Sequence, residues 1–183
     1  HPVFLTTLAP YPADSGAPEL IRRMSEAGAK VNVGPMAAVA GAIAGMIGEK
    51  ISPGVTDLII ENGGDIYLRS TRERHIAVFA GNSPFSMKIA LEIAPKPGGV
   101  GICTSAGTVG PSLSMGTSDA AVIISTDVAL ADAAATAAGN IINKASDLRP
   151  AIDFLKTIPD ISGVLFIKDD KMAAWGEIKI TPL

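Results

Sequence analysis

The sequence has one cysteine, Cys103, in 183 residues. A lone thiol closes no internal disulfide, which excludes the small disulfide-built secreted class. Histidine is almost as scarce, with only His1 and His75. That shortage argues against a Ser-His-Asp hydrolase and against a His-rich zinc centre. Aromatic residues make up 4% of the chain, too few for base-stacking platforms. The net charge is −3 and no Lys/Arg cluster stands out, so a general nucleic-acid-binding surface is excluded. No apolar run reaches the roughly 18–20 residues of a membrane span; the nearest candidate is Pro35 to Ile47. No signal-peptide pattern is present. The chain opens on His1-Pro2 without an initiator methionine, which we read as the mark of a missing N-terminal piece. The remaining balance reads as cytoplasmic.

The residues that are abundant describe a compact chain. Hydrophobic residues account for 48% and charged residues for 18%, a globular and not a disordered composition. The length suits one substantial core. Nineteen glycines and 13 prolines punctuate the sequence. Asp14 to Pro18 reads as a turn into a helix from about Glu19 to Gly28. Gly34-Pro35 opens a second helix, Met36 to Ile47, built of small residues. Such a helix admits close packing against a sheet, or a flat ligand. Strands are expected at Thr56–Glu61 and Asp65–Arg69, joined by Asn62-Gly63-Gly64, a strong hairpin signal. Further strands are expected at 75–80, 86–93, 100–104 and 119–125. A helix follows over about 128–144, and another over 147–157 with Asp147 as its cap. The segments 163–168 and 172–175 read as a last hairpin with an acidic Asp169-Asp170 turn. Strands before hairpin turns and grouped helices predict an α+β fold with a mostly antiparallel sheet, in one domain over residues 1–183.

Three clusters carry candidate chemistry. The first is Asp132 with Thr136, one turn apart on a helix and otherwise surrounded by alanine and leucine. A carboxylate there needs neutralising. A hard cation such as Mg²⁺ would do it, and so would free amides if Asp132 lay at the start of its helix. The second is Asn62-Gly63-Gly64-Asp65, where glycine lets backbone approach a ligand or simply closes a turn. The third runs from Gly101 through Thr104, Ser105, Gly107 and Thr108 to Gly110, hydroxyls and glycines after a strand, able to hold phosphate on exposed amides. It is neither a Walker loop nor a dinucleotide fingerprint. Cys103 reads as a small strand residue, His75 as structural, and Asp169-Asp170 as a solvated turn.

Taken in chain order, Asn62-Gly63-Gly64-Asp65, Thr104-Ser105 with Gly107, the strand ending at Ser125, and Ala131-Asp132-x-x-x-Thr136-Ala137 resemble the ApbE superfamily. Its best-known members are Mg²⁺-dependent FAD:protein FMN transferases. They split FAD and attach FMN through a phosphodiester to a Thr or Ser of a target protein. The resemblance spans about Gly34 to Gly139 and implies a single ApbE-like (T-fold-like) domain. It implies Mg²⁺ on Asp132 and Thr136, with the Ala40 carbonyl also reaching the metal. It places Asn62, Gly63, Gly64 and Asp65 beside the flavin nucleotide, and Thr104, Ser105 and Gly107 near the phosphates. The implied cofactors are Mg²⁺ and FAD, and the implied partners a flavin or other nucleotide and an acceptor protein. Two departures stand out. Gly41 occupies the place of the family's lysine, and Thr108 to Ser118 lacks the family's histidine motif. Together with Phe4 to Leu8, they make the chain resemble the bacterial and archaeal branch related to ApbE more than the transferases proper.

Three functions follow as expectations. One is an FMN transferase or FAD pyrophosphate-cleaving enzyme, with Asp65 or Asp119 as base. The second is a flavin- or nucleotide-binding protein without chemistry. The third is a structural or assembly protein in which Asp132 only caps a helix. Small-residue faces are compatible with self-association into a homo-oligomer.

Overall fold

A computed structural model describes residues 2–109 and 114–183. His1 and Gly110, with residues 111–113, lie outside them. The helices are α1 (Pro2–Thr6), α2 (Glu19–Lys30), α3 (Val39–Ile51), α4 (Val128–Ile141) and α5 (Leu148–Leu155). The strands are β1 (Leu58–Asn62), β2 (Asp65–Ser70), β3 (Arg74–Ala77), β4 (Ile89–Ile93), β5 (Lys96–Ser105), β6 (Ala120–Ser125), β7 (Ile161–Lys168), β8 (Lys171–Gly176) and β9 (Lys179–Pro182). A six-stranded sheet in the order β1-β2-β5-β6-β7-β8 carries the helices on one face, and a three-stranded sheet, β3-β4-β9, forms separately. Every strand pair is antiparallel. The fold is α+β, as the sequence pattern predicts.

The six-stranded sheet is buried on both faces at its centre. The helix-side core gathers Met24, Leu130, Ile142, Leu155 and Phe166, among others. The opposite core gathers Leu68, Leu91, Ile102, Val122 and Ile167 between the two sheets. Strand β6 is therefore buried at every position, which explains why Ala-Ala-Val-Ile-Ile-Ser does not alternate. Helix α4 is almost wholly buried. Its alanines and Gly139 let it lie close to β5, β6 and α3.

The small residues of α3 serve packing. A side chain at Gly48 would meet the Tyr67 ring at 2.2 Å, and one at Gly45 would meet Val128 at 3.1 Å. The β1–β2 hairpin closes through Gly63 and Gly64 at φ +66° and +104°, values that favour glycine.

Several sequence expectations shift. The second helix runs to Ile51, after a 3₁₀ turn at Pro35–Ala38. Strand β4 starts at Ile89 instead of 86, because Met87 turns at φ +55°. Strand β9 is an addition that the sequence pattern did not show. Asp147 stands at the N-cap position of α5, as expected, but its side chain bonds none of that helix's amides; it accepts hydrogen bonds from the Asn143 and Lys144 amides at 3.0 Å each, closing the 3₁₀ turn before it. The Asp169-Asp170 turn is more than solvated polarity: the Asp169 amide donates to Asp119 Oδ2 at 2.6 Å.

Candidate functional site

Helix α4 begins with its own cap. The Leu130 amide donates to Asp127 Oδ1 at 3.1 Å. Asp132 therefore lies inside the helix, past the turn where free amides would stabilise it. Its carboxylate instead accepts a 2.8 Å hydrogen bond from the Gly41 amide, in the first turn of α3, whose N-cap residue, Ala38, supplies no side-chain bond. Asp132 thus caps a neighbouring helix. The helices approach so closely that a side chain at Gly41 would meet the Val128 carbonyl at 2.5 Å and Asp132 Cβ at 2.6 Å. A lysine at position 41 has no room.

The other predicted residues gather near this contact. Asp65 opens β2 and is 6% exposed. It pairs across the strands with Cys103, and Thr104 and Ser105 end β5. A cavity of about 340 Å³ is lined by Gly63, Gly64, Asp65, Thr104, Ser105, Asp132 and Thr136 together. Three predicted residues stand behind it. The Ala40 carbonyl accepts from Asn62 Nδ2 at 3.2 Å, tying the hairpin to the start of α3. Gly107 packs against backbone, since a side chain there would meet the Gly116 carbonyl at 2.1 Å, and its amide donates to the Ser118 carbonyl at 2.8 Å.

The cavity wall opposite these groups is apolar. Ile66, Ile76, Val78, Phe79, Leu91 and Ile102 line it, several of them from the three-stranded sheet and its approaches. Sequence reasoning missed this wall, and also Glu61 at its edge, because only tertiary structure brings β3 and β4 over β2 and β5. The cavity holds three acids, Glu61, Asp65 and Asp132, and no lysine, arginine or histidine among its described lining residues.

Burial dominates the electrostatics. It pushes the Asp65 carboxyl up to about 7; Glu61 adds to this, while the Cys103 thiol and the Thr104 amide oppose it. Burial, then the charge of Asp65, push Asp132 well above the usual carboxyl range against the Gly41 and Ala40 amides. Two acids that share a dry site resist joint ionisation unless a cation joins them. Asp65 Oδ1 is buried and has no hydrogen-bond partner. That orphaned oxygen lines one cavity with Asp132 and Thr136, and together they offer an all-oxygen donor set of the kind a hard divalent cation takes. The residues fit such an ion.

Cys103 is fully buried and its thiol donates to the Val128 carbonyl at 3.5 Å. Burial raises it further from ionisation, so it is no nucleophile. His75 lies exposed beside Glu73 at 3.1 Å, away from the cavity lining. Asp119 accepts from the Thr108 hydroxyl at 3.0 Å, which commits it to its loop. No single helix among the described residues is long and apolar enough to cross a membrane.

A family model described as "AbpE bacteria" matches residues 1–159. The chain belongs to this ApbE-like family. Among its relatives, a UPF0280 protein of Methanocella arvoryzae is 48% identical over 178 residues, covering 97% of this chain and 72% of the relative. A UPF0280 protein of Methanosarcina acetivorans is 44% identical over 183 residues, covering 98% of this chain and 72% of the relative. In structure, this ApbE-like chain is similar to the apo form of the flavinyl transferase ApbE of Pseudomonas stutzeri, with a TM-score of 0.50 and 13% identity. The match covers 82% of this chain and 49% of that one. The chain thus spans about half the length of that transferase, and the likeness concerns the fold.

Proposed function

We propose that the chain is a Mg²⁺-dependent flavin-nucleotide enzyme that cleaves the pyrophosphate of FAD and passes FMN to a hydroxyl of an acceptor protein or to water. The carrying observation is the convergence of Asp132 and Thr136, the Gly63-Gly64-Asp65 turn and Thr104-Ser105 on one cavity. Asp132, Thr136 and Asp65 would hold the cation. When bound, Mg²⁺ would neutralise pyrophosphate oxygens and stabilise the charge that develops as the anhydride breaks. The acid-rich lining supports this reading, since without a basic side chain a phosphate would enter the cavity only with a cation.

The remaining roles fall to the chain's own groups. Thr104 and Ser105 hydroxyls orient the phosphates. The apolar wall from Ile66 to Leu91 takes the flat ring and excludes water. With Asp65 held ionised by the cation, the attacking hydroxyl would pass its proton to the departing AMP phosphate or to water. Purified protein incubated with FAD and Mg²⁺ is expected to release FMN and AMP, or to transfer FMN to threonine-containing peptides, as read by chromatography and mass spectrometry. No turnover under either condition overturns the enzymatic reading.

One observation favours a second reading, a flavin-binding protein without chemistry. The lining has neither a histidine nor a lysine to carry acid–base work. Tight flavin binding that is independent of Mg²⁺ and proceeds without turnover would select it.

A further inference from the structure

Strand β1 ends the six-stranded sheet and has a hydrogen-bonded neighbour, β2, on one side. The hairpin joining them has a two-residue turn between the paired Asn62 and Asp65. Residues that flank such a turn exchange hydrogen bonds, and the pairs alternate from there. Leu58, Ile60 and Asn62 therefore direct their peptide groups toward β2. Ile59 and Glu61 direct theirs outward.

Proteins usually blunt an open edge with lysine, proline, a bulge or a covering element. The opposite edge of this sheet follows that rule. Strand β8 starts at Lys171, and Lys156 sits 5.7 Å above the Trp175 ring. Strand β1 does not. Leu58–Asn62 contains no lysine and no proline, its register with β2 is unbroken, and Ile59 is 52% exposed. The open edge also leads directly into the cavity, which Glu61, Gly63 and Gly64 line. At Gly63 nothing lies within 4 Å of where a side chain would stand, so the approach is clear.

From these observations we infer that β1 is the docking edge for an extended polypeptide segment, added as a further strand of the sheet, which carries a basic residue opposite Glu61. The inference rests on the acceptor reading above: it names how the acceptor is held. Charge selects the occupant. The cavity mouth presents the Glu61 carboxylate and no basic side chain among its described lining residues, so an acidic segment is repelled and a basic one is drawn in. An added strand advances about 3.3 Å per residue. A hydroxyl about four residues beyond the partner of Ile59 then reaches the turn at Gly63 and Gly64.

The test uses a pool of peptides about ten residues long, each with one central threonine and randomised flanks, offered to the whole chain without FAD or Mg²⁺. Retained peptides are expected to be enriched in lysine or arginine beside the threonine. Hydrogen exchange at the Ile59 and Glu61 amides should slow by about tenfold or more in their presence. Ile59→Pro removes an outward N–H and leaves the β2 ladder intact, so retention should be lost; Ile59→Val should keep it. Cooperative urea unfolding of both variants reports that they are folded. Retention by Ile59→Pro equal to that of the unchanged protein overturns the inference, and so does unaltered exchange at Ile59 and Glu61. Because docking is read without nucleotide, a failure of FAD chemistry and a failure of docking are separate results.

Discussion

The Gly41 amide and the Asp132 carboxylate meet at 2.8 Å across the closest approach of α3 and α4. One oxygen of Asp132 thereby supplies the cap that Ala38 does not provide, while the residue also lines the cavity. Helix stability and site chemistry are joined in a single carboxyl group, and substitutions can separate them.

Asp132→Asn keeps an oxygen for the Gly41 amide and removes the buried charge. In EDTA its melting temperature should equal or exceed that of the unchanged protein. Added Mg²⁺ should stabilise the unchanged protein and leave Asp132→Asn unmoved, with turnover down by about 10²-fold or more. Thermal melts with and without Mg²⁺ check this. Stabilisation of Asp132→Asn equal to that of the parent would remove Asp132 from the metal.

Asp127→Ala supplies the contrast. Asp127 caps α4 and does not line the cavity. Its loss should cost about 1 kcal/mol in urea unfolding and leave the Mg²⁺ response unchanged.

The metal-free protein should weaken as pH rises. The folded Asp65 carboxyl sits near 7, whereas an unfolded aspartate titrates near ~3.9. Between those values the folded state holds a proton that the unfolded state has lost. Its contribution is fully present below the lower value, declines as pH rises toward 7, and is flat beyond. Urea midpoints in EDTA from pH 4 to 8 should trace this limb, and Asp65→Asn should reduce its slope, leaving the part that Asp132 contributes. Mg²⁺, which needs the ionised form, should reverse the slope.

Gly41→Ala tests the helix contact directly. The added carbon meets the Val128 carbonyl at 2.5 Å, a backbone atom that moves only with its helix. A loss of about 1–3 kcal/mol is expected, with weaker flavin binding as Asp132 shifts. Urea unfolding and flavin titration measure the two effects.

Much of this was legible because it is local. Asn62-Gly63-Gly64 gave the hairpin by turn chemistry, and the i,i+4 spacing put Asp132 and Thr136 on one face. The ordered motifs named the family. The rest depends on tertiary placement. No pattern within 128–136 says that Asp132 caps a helix ninety positions earlier, or that Asp127 takes the local cap. Asn62 reads as a ligand contact, yet its amide is committed to Ala40. Gly107 reads as part of a phosphate loop, yet it is small because the Gly116 carbonyl lies against it. The apolar wall went unseen because β3 and β4 reach the cavity only through a second sheet.

That second sheet bears on how the protein comes into being. Strand β4 is flanked by β3 and by β9, whose partners run from Ile89 with Pro182 to Glu92 with Lys179. One wall of the cavity is thus braced by residues that leave the ribosome some ninety positions after those they support. Until they emerge, a nascent chain carries the acids of the site without the finished enclosure around them. Closure of that wall is thereby deferred until β9 has been made.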